Sequence, residues 1–190
     1  MTFPLNILVV SGASRSGSYS FKVAEYLEQE LRNTENVATD FINVHLLSLP
    51  LYCPSSERSD DLNKLVAQLS EKFNQAHAIV LVSPEYNGGI AGSLKNLLDY
   101  FRKEYERKPI GVVSVSSGTF GGLNALHQLI AFTSYVGAFL SNTRLTVSEV
   151  EKVFQAEDSV PAERFARNAK KFCQDLVWLT QAIQAKKTQA

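Results

Sequence analysis

Three short stretches of this chain concentrate the residue types that hold a small anionic or flat ligand. The first, residues 11–20, reads SGASRSGSYS and runs into a helical pattern. A helix N-terminus presents unpaired N–H groups and a partial positive charge to an anion. Ser14, Ser16, Ser18 and Ser20 add hydroxyl donors, and Arg15 adds a guanidinium suited to phosphate oxygens. Hydrogen bonds to a charged group contribute roughly 1.5–3 kcal/mol each, so a few of them anchor a phosphate monoester. The second stretch, residues 83–93, reads SPEYNGGIAGS. Pro84 removes a donor and stiffens the chain, Gly88 and Gly89 let backbone come close to a flat ligand, and Tyr86 offers an aromatic wall. The third, residues 116–122, reads SSGTFGG, in which Gly118, Gly121 and Gly122 favour exposed backbone donors. Phe120 there has two equal readings, pocket wall or core residue.

Other chemistries lack their residues. Gly12 and Gly17 have the glycine spacing of a nucleoside-triphosphate loop, but Ser18 stands where the lysine is required. No G-x-G-x-x-G occurs, so a dinucleotide fingerprint is not signalled, and a single phosphate suits the first stretch better than a pyrophosphate. No G-x-S-x-G elbow occurs, because Ser16 occupies the place of the second glycine. His45, His77 and His127 are scattered without metal-ligand spacing and read as surface or satisfied core residues. Cys53 and Cys173 are too few for a disulfide framework and read as reduced thiols. Lys plus Arg and Asp plus Glu balance at 19 each, so no basic field is present to hold nucleic acid. No apolar run approaches the roughly 20 residues that span a bilayer, and the N-terminus lacks the positive region of a signal peptide. A cytoplasmic protein without nucleic-acid or membrane partners is expected.

The elements that must position these stretches alternate along the chain. Strands are expected at 5–10, Val37–Asn43, 78–82, 110–116 and 138–140, the first, third and fourth as continuous apolar runs. Apolar residues at helical spacing place helices at 20–31, Asp60–Gln75, the segment around 94–101, 123–136 and 161–186. The helix at 123–136 is apolar nearly all round and is expected to be well buried. Residues 46–59 read as a loop, 141–160 is polar and resists assignment, and the tail from 186 is expected to fray. With 190 residues, one domain over 1–190 is expected. Strict alternation implies a three-layer α/β/α architecture around a parallel sheet. Right-handed crossovers leave few topologies, and five strands suit the flavodoxin-like order 2-1-3-4-5. In that order strands one, three and four are neighbours, so the loops that follow them converge. Those loops are the three stretches of unusual composition.

The same stretches resemble the motifs of the NADPH-dependent FMN reductase family, which includes chromate, quinone and azo reductases. The family pattern G-S-x-R-x-x-S-x-N stands here as Gly12-Ala13-Ser14-Arg15-Ser16-Gly17-Ser18-Tyr19-Ser20. Its P-E-Y-N-x-S-I-P-G-x-L-K-N stands as residues 84–96, PEYNGGIAGSLKN, and its S-x-G-x-F-G-G as residues 116–122. The resemblance covers roughly residues 5–140, and the second motif is highly specific. It implies that Arg15 and Ser18, with Ser14 and Ser20 beside them, bind the phosphate of FMN. Pro84, Glu85, Tyr86, Asn87 and Gly88 would border the isoalloxazine, and Ser117 and Gly118 would approach its pyrimidine side. Ala13 and Ser20 replace the family's Ser and Asn, which weakens the phosphate contacts. Gly89 and Ala91 replace Ser and Pro, which is expected to loosen the turn beside the flavin.

The resemblance further implies an enzyme that takes hydride from NADPH or NADH and passes electrons through FMN to a small-molecule acceptor such as a quinone, azo compound, metal oxyanion or free flavin. A cofactor that carries the hard step needs no protein nucleophile or general base, so no catalytic side chain and no metal are expected. Two alternatives stand beside it: a flavodoxin-like electron carrier, and a flavin-supplying partner of a monooxygenase. The zero net charge and Arg15 weigh against the carrier. Family membership also implies a homodimer or homotetramer.

Overall fold

Side chains on a strand alternate between its two faces, and this chain uses both faces of every central strand. In the computed structural model, which describes residues 4–54, 57–154 and 161–188, β1 (Leu5–Ser11) points Ile7 and Val9 to one side and Leu8 and Val10 to the other, all four fully buried. The first face is covered by α1 (Tyr19–Arg32) and α6 (Glu163–Thr188), through Val23, Leu27, Phe172 and Leu176. The second is covered by α2 (Asp60–Gln75), α3 (Gly92–Asp99) and α4 (Leu123–Tyr135), through Phe73, Leu94, Leu98 and Leu129. Two cores on opposite sides of one sheet explain why the strands read as unbroken apolar runs rather than alternating ones.

The expected strand order is present, with two additions. The sheet runs β2 (Val37–Asn43), β1, β3 (Ala78–Tyr86), β5 (Pro109–Val115), and all these pairings are parallel. The fifth position is split: β6 (Phe139–Leu140) pairs with the start of β5 and β7 (Leu145–Val147) with its end. The second piece lies in the stretch 141–160 that the sequence left unassigned, as does the short helix α5 (Val150–Val153). The other addition is β4 (Gly89–Ile90), which folds back antiparallel on β3 with Glu85 opposite Ile90 and Tyr86 opposite Gly89. Strand β3 therefore runs four residues past its expected end at 82. Asn87 and Gly88 sit at φ +49° and +74°, the left-handed pair of a two-residue hairpin turn. An Asn-Gly dipeptide between strand-forming residues is the sequence signal for such a turn.

Two expectations for the helices change. Helix α4 buries Ala125, Leu126, Leu129 and Thr133 but exposes Leu123, Asn124, His127, Gln128, Ala131 and Tyr135, so it is amphipathic rather than buried all round. Helix α6 continues to Thr188, past the point where fraying was expected. Residues 55–56 of the expected loop, 155–160 of the unassigned stretch and 189–190 of the tail lie outside the described residues. Gly111 makes one of these helix contacts attainable: a Cβ there would lie 2.5 Å from the Phe172 ring.

Candidate flavin-binding site

The first loop leaves β1 at its carboxyl end. Gly12 donates its N–H to the Val82 carbonyl at 2.8 Å, which welds the start of the loop to β3. No side chain fits at Gly12, since a Cβ would lie 2.8 Å from Leu94 and 2.9 Å from the Val82 oxygen. The Gly12 carbonyl accepts from Ser93 Oγ at 2.7 Å, and the Ser14 carbonyl lies 2.7 Å from His45 Nδ1. His45, read from sequence as a bland residue, therefore helps to hold the loop. Ser18 caps α1 by accepting from the Phe21 N–H at 3.2 Å, and Ser20 Oγ lies 3.3 Å from Ser18 Oγ. Both serines are buried. With Ser18 Oγ already accepting, its own hydrogen remains to be donated outward. Among the described residues, the N–H groups of Arg15 to Ser20 meet no acceptor and the Arg15 guanidinium forms no ion pair.

The second loop is the β3–β4 hairpin. Gln128 of α4 grips it from beneath, with Oε1 accepting from the Ile90 N–H at 3.1 Å and Nε2 donating to the Gly88 carbonyl at 3.4 Å. Glu85 reaches the other way and accepts from the Ala125 N–H at 3.0 Å, which caps the first turn of α4. Ser83 Oγ accepts from the Ala91 N–H at 3.0 Å. The turn is therefore fastened rather than loosened by its departures from the family pattern. Ala91 supplies an N–H that proline lacks, and Gly89 leaves room for Gln128, whose Oε1 would lie 3.2 Å from a Cβ at that position.

The third loop leaves β5 and is fixed from both ends. Ser114 Oγ donates to the Gly121 carbonyl at 2.7 Å, and the Gly118 N–H reaches Ser116 Oγ at 3.0 Å. Gly121 and Gly122 lie at φ +62° and +76° and lead into α4. The chain after β7 returns over this loop: Ser116 N–H donates to the Val147 carbonyl, Glu149 N–H to Gly118 and Val150 N–H to Ser116. Phe120 follows neither of its two sequence readings, because it is 81% exposed at the loop tip.

One cavity of about 130 Å³ joins the three loops. It is lined by Arg15, Ser18 and Ser20, by Pro84, Glu85 and Tyr86, and by Ser117 of the expected residues. Ser14, Asn87, Gly88 and Gly118 are outside its lining. Tyr19, Val115, Ser116, Val150 and Glu151 are lining residues that sequence reasoning did not single out as site residues. Nothing local to 141–154 marks Val150 and Glu151, because only the pairing of β7 beside β5 brings them there. The lining carries one cation and two carboxylates. Glu85 is occupied by the α4 N-terminus, whereas Glu151 faces the same space as Arg15 with no recorded partner among the described residues.

A monophosphorylated flavin suits this donor set. Free N–H groups, an outward Ser18 hydroxyl, Arg15 and the α1 N-terminus provide the anion-binding end, and backbone-rich loops with an aromatic residue provide the flat end. A parallel sheet in this order with its ligand cleft beyond the carboxyl ends of its strands defines a flavodoxin-like nucleotide-binding protein. Residues 5–152 match the family model described as NADPH-dependent FMN reductase, and the chain belongs to that family. Membership makes it an NAD(P)H-dependent oxidoreductase with FMN as its cofactor. It is 28% identical over 160 residues to an NADPH azoreductase of Bacillus sp. (strain OY1-2), covering 83% of this chain and 85% of that protein. It is 27% identical over 150 residues to a quinone reductase of Escherichia coli (strain K12), covering 75% and 76%. Among solved structures, FerB, a flavoenzyme NAD(P)H:(acceptor) oxidoreductase of Paracoccus denitrificans, superposes with a TM-score of 0.75 at 24% identity, covering 94% of this chain and 98% of that one, and so shares its fold.

Proposed function

We propose that this single-domain protein reduces aromatic acceptors of the quinone and azo type, using FMN held by Arg15, Ser14, Ser18 and Ser20 at the phosphate and by residues 84–88, Ser117 and Gly118 at the ring. The observation that carries the reading is the convergence of all three motif loops on one cavity. Bound FMN supplies the hydride-accepting and electron-donating chemistry. The chain's own residues bind and orient: Ser18 and the N–H groups at the start of α1 face the phosphate, Arg15 offsets its charge, and Tyr86 gives the ring an apolar neighbour. The cavity is smaller than the roughly 300–1,000 Å³ of pockets that enclose a whole small ligand. A ring held by these loops would be left partly open to solvent, and so accessible to a nicotinamide and to an acceptor. The names of the azoreductase and quinone reductase relatives support these acceptor classes.

The purified protein is expected to take up FMN, to be bleached directly by NADPH or NADH, and to be reoxidised by a quinone or an azo dye. A protein that stays colourless with excess FMN overturns the proposal. Bleaching that requires an added reductase favours the electron carrier instead. One observation favours the flavin-supplying alternative, namely Glu151 on the phosphate cavity, which weakens retention. Release of reduced FMN during turnover, seen as loss of flavin through a size-exclusion membrane, would establish that role. We assign the protein to the cytoplasm as a homodimer. Among the described residues no helix is long and apolar enough to cross a membrane, and Leu123 and Tyr135, exposed on the outward side of α4, support self-association.

A further inference from the structure

We infer that Gln128 is a positioning residue for the flavin, clamping the 87–90 hairpin that continues from Glu85 and Tyr86 of the cavity wall, so that its tip, with the unpaired peptide between Asn87 and Gly88, is held in one conformation beside the site. This rests on the site reading above. A hairpin this short has few polar groups to dispose of. The Gly88 carbonyl takes the Gln128 amide, the Ile90 N–H gives to its oxygen, and Tyr86 and Gly89 face each other across the pair. Among the described residues the Gly88 N–H and the Asn87 carbonyl have no partner. Gly88 in the turn and Gly89 after it would let these peptides rotate freely. Bonding the Gly88 carbonyl and the Ile90 N–H to one side chain removes that freedom. The side chain sits on α4, whose first turn is capped by Glu85 from the base of the same hairpin.

A departure from the family pattern gives the clamp room. Gln128 Oε1 and Nε2 would lie 3.2 and 3.3 Å from a Cβ at position 89, so a serine there would press the amide to shift by a few tenths of an ångström, and Gly89 leaves it in place. Polar contacts to a flavin weigh differently on its oxidised and reduced forms, since the two differ in charge and in the protons they carry. A fixed peptide therefore sets a ratio of affinities as well as an affinity.

The test uses Gln128→Met, which keeps volume and loses both bonds, and Gly89→Ser, which crowds the amide. In FMN-free protein, hydrogen exchange at the Ile90 amide is expected to quicken about tenfold in both variants, while the interior amides of α4 keep their protection. In holoprotein, the ratio of oxidised to reduced FMN affinity is expected to change about threefold, which at about 30 mV per tenfold is about 14 mV in the two-electron midpoint. Gln128→Glu retains an oxygen for Ile90 but no donor for Gly88, so it is expected to restore exchange protection without restoring the midpoint. Unchanged exchange in Gln128→Met removes the clamp. Faster exchange with an unchanged midpoint removes its influence on the flavin. If Ser18→Ala and Tyr86→Leu also leave FMN affinity untouched, the cofactor lies elsewhere and the site reading itself falls.

Discussion

At the scale of single residues, the proposed phosphate end of the cleft sets Arg15 against Glu151. Arg15 is exposed and free of ion pairs among the described residues, so its guanidinium is available to the phosphate without first breaking another contact. Arg15→Ala is expected to weaken FMN binding by about 1–3 kcal/mol, the value of a charge-assisted hydrogen bond with some screening. Glu151 acts in the opposite direction, because a carboxylate on the same wall repels the phosphate. Glu151→Gln is expected to tighten FMN binding, and the gain is expected to shrink as salt shortens the reach of exposed charges. Fluorescence titration of FMN at low and high salt checks both. Equal affinities in all three proteins would remove the phosphate from this cavity. Arg15 was legible from its place in a Ser/Gly loop after a buried strand. Glu151 was not, since it sits in a short helix that only the tertiary pairing of β7 carries to the loop.

At the scale of elements, two helix ends near the sheet are finished by side chains from other elements. Glu85 finishes the start of α4, and Lys108, just before β5, finishes the end of α2. Its buried ammonium donates to the carbonyls of Phe73 and, at 3.1 Å, Asn74. Burial first, and the nearby Lys187 second, lower the Lys108 pKa to about 8. In the unfolded chain the same group keeps its proton to about 10.4. Between these values the unfolded chain binds more protons, so this group's contribution to stability rises with pH from about 8 and is lowest below it. In thermal melts of the wild type and Lys108→Met between pH 7 and 9, the difference in stability is expected to shift in favour of the wild type as pH rises. Cys173, whose thiol burial pushes up to about 12, is common to both proteins and cancels in the difference. A difference independent of pH would show that Lys108 is charged in both states throughout. Helical periodicity made the helices visible in sequence, and the apolar runs of β1, β3 and β5, buried on both faces, made the central strands visible. The hairpin was hidden because Pro84, Asn87 and the glycines read as generic loop composition. The split fifth strand was hidden because two or three residues carry no periodicity.

At the scale of the whole molecule, the outward side of α4 is the surface on which we propose self-association. Leu123, Ala131 and Tyr135 lie along it, and Tyr135 is 77% exposed with the Arg102 guanidinium 5.6 Å from its ring centre. An open groove of about 870 Å³ between α3, α4 and the segment near Tyr52 continues this surface, lined also by Ile90, Gln128 and Phe132. Apolar Ile90, Phe132 and Val136 share the groove with Lys95, Asp99 and Arg102, a mixture that an interface between copies accommodates. A helix that packs on its own copy about a two-fold axis buries the same residues on both sides, which suits a homodimer. The expected outcome is that the wild type sediments as a dimer at micromolar concentration and Tyr135→Glu as a monomer. Because the groove is lined both by Ile90 of the hairpin and by Gln128, which clamps it, the monomeric variant is also expected to bind FMN several-fold more weakly, although position 135 does not line the flavin cavity. A wild type that sediments as a monomer at tens of micromolar would remove the interface. A Tyr135→Glu monomer with unaltered FMN affinity would keep the interface and show that each flavin cleft is complete within one chain.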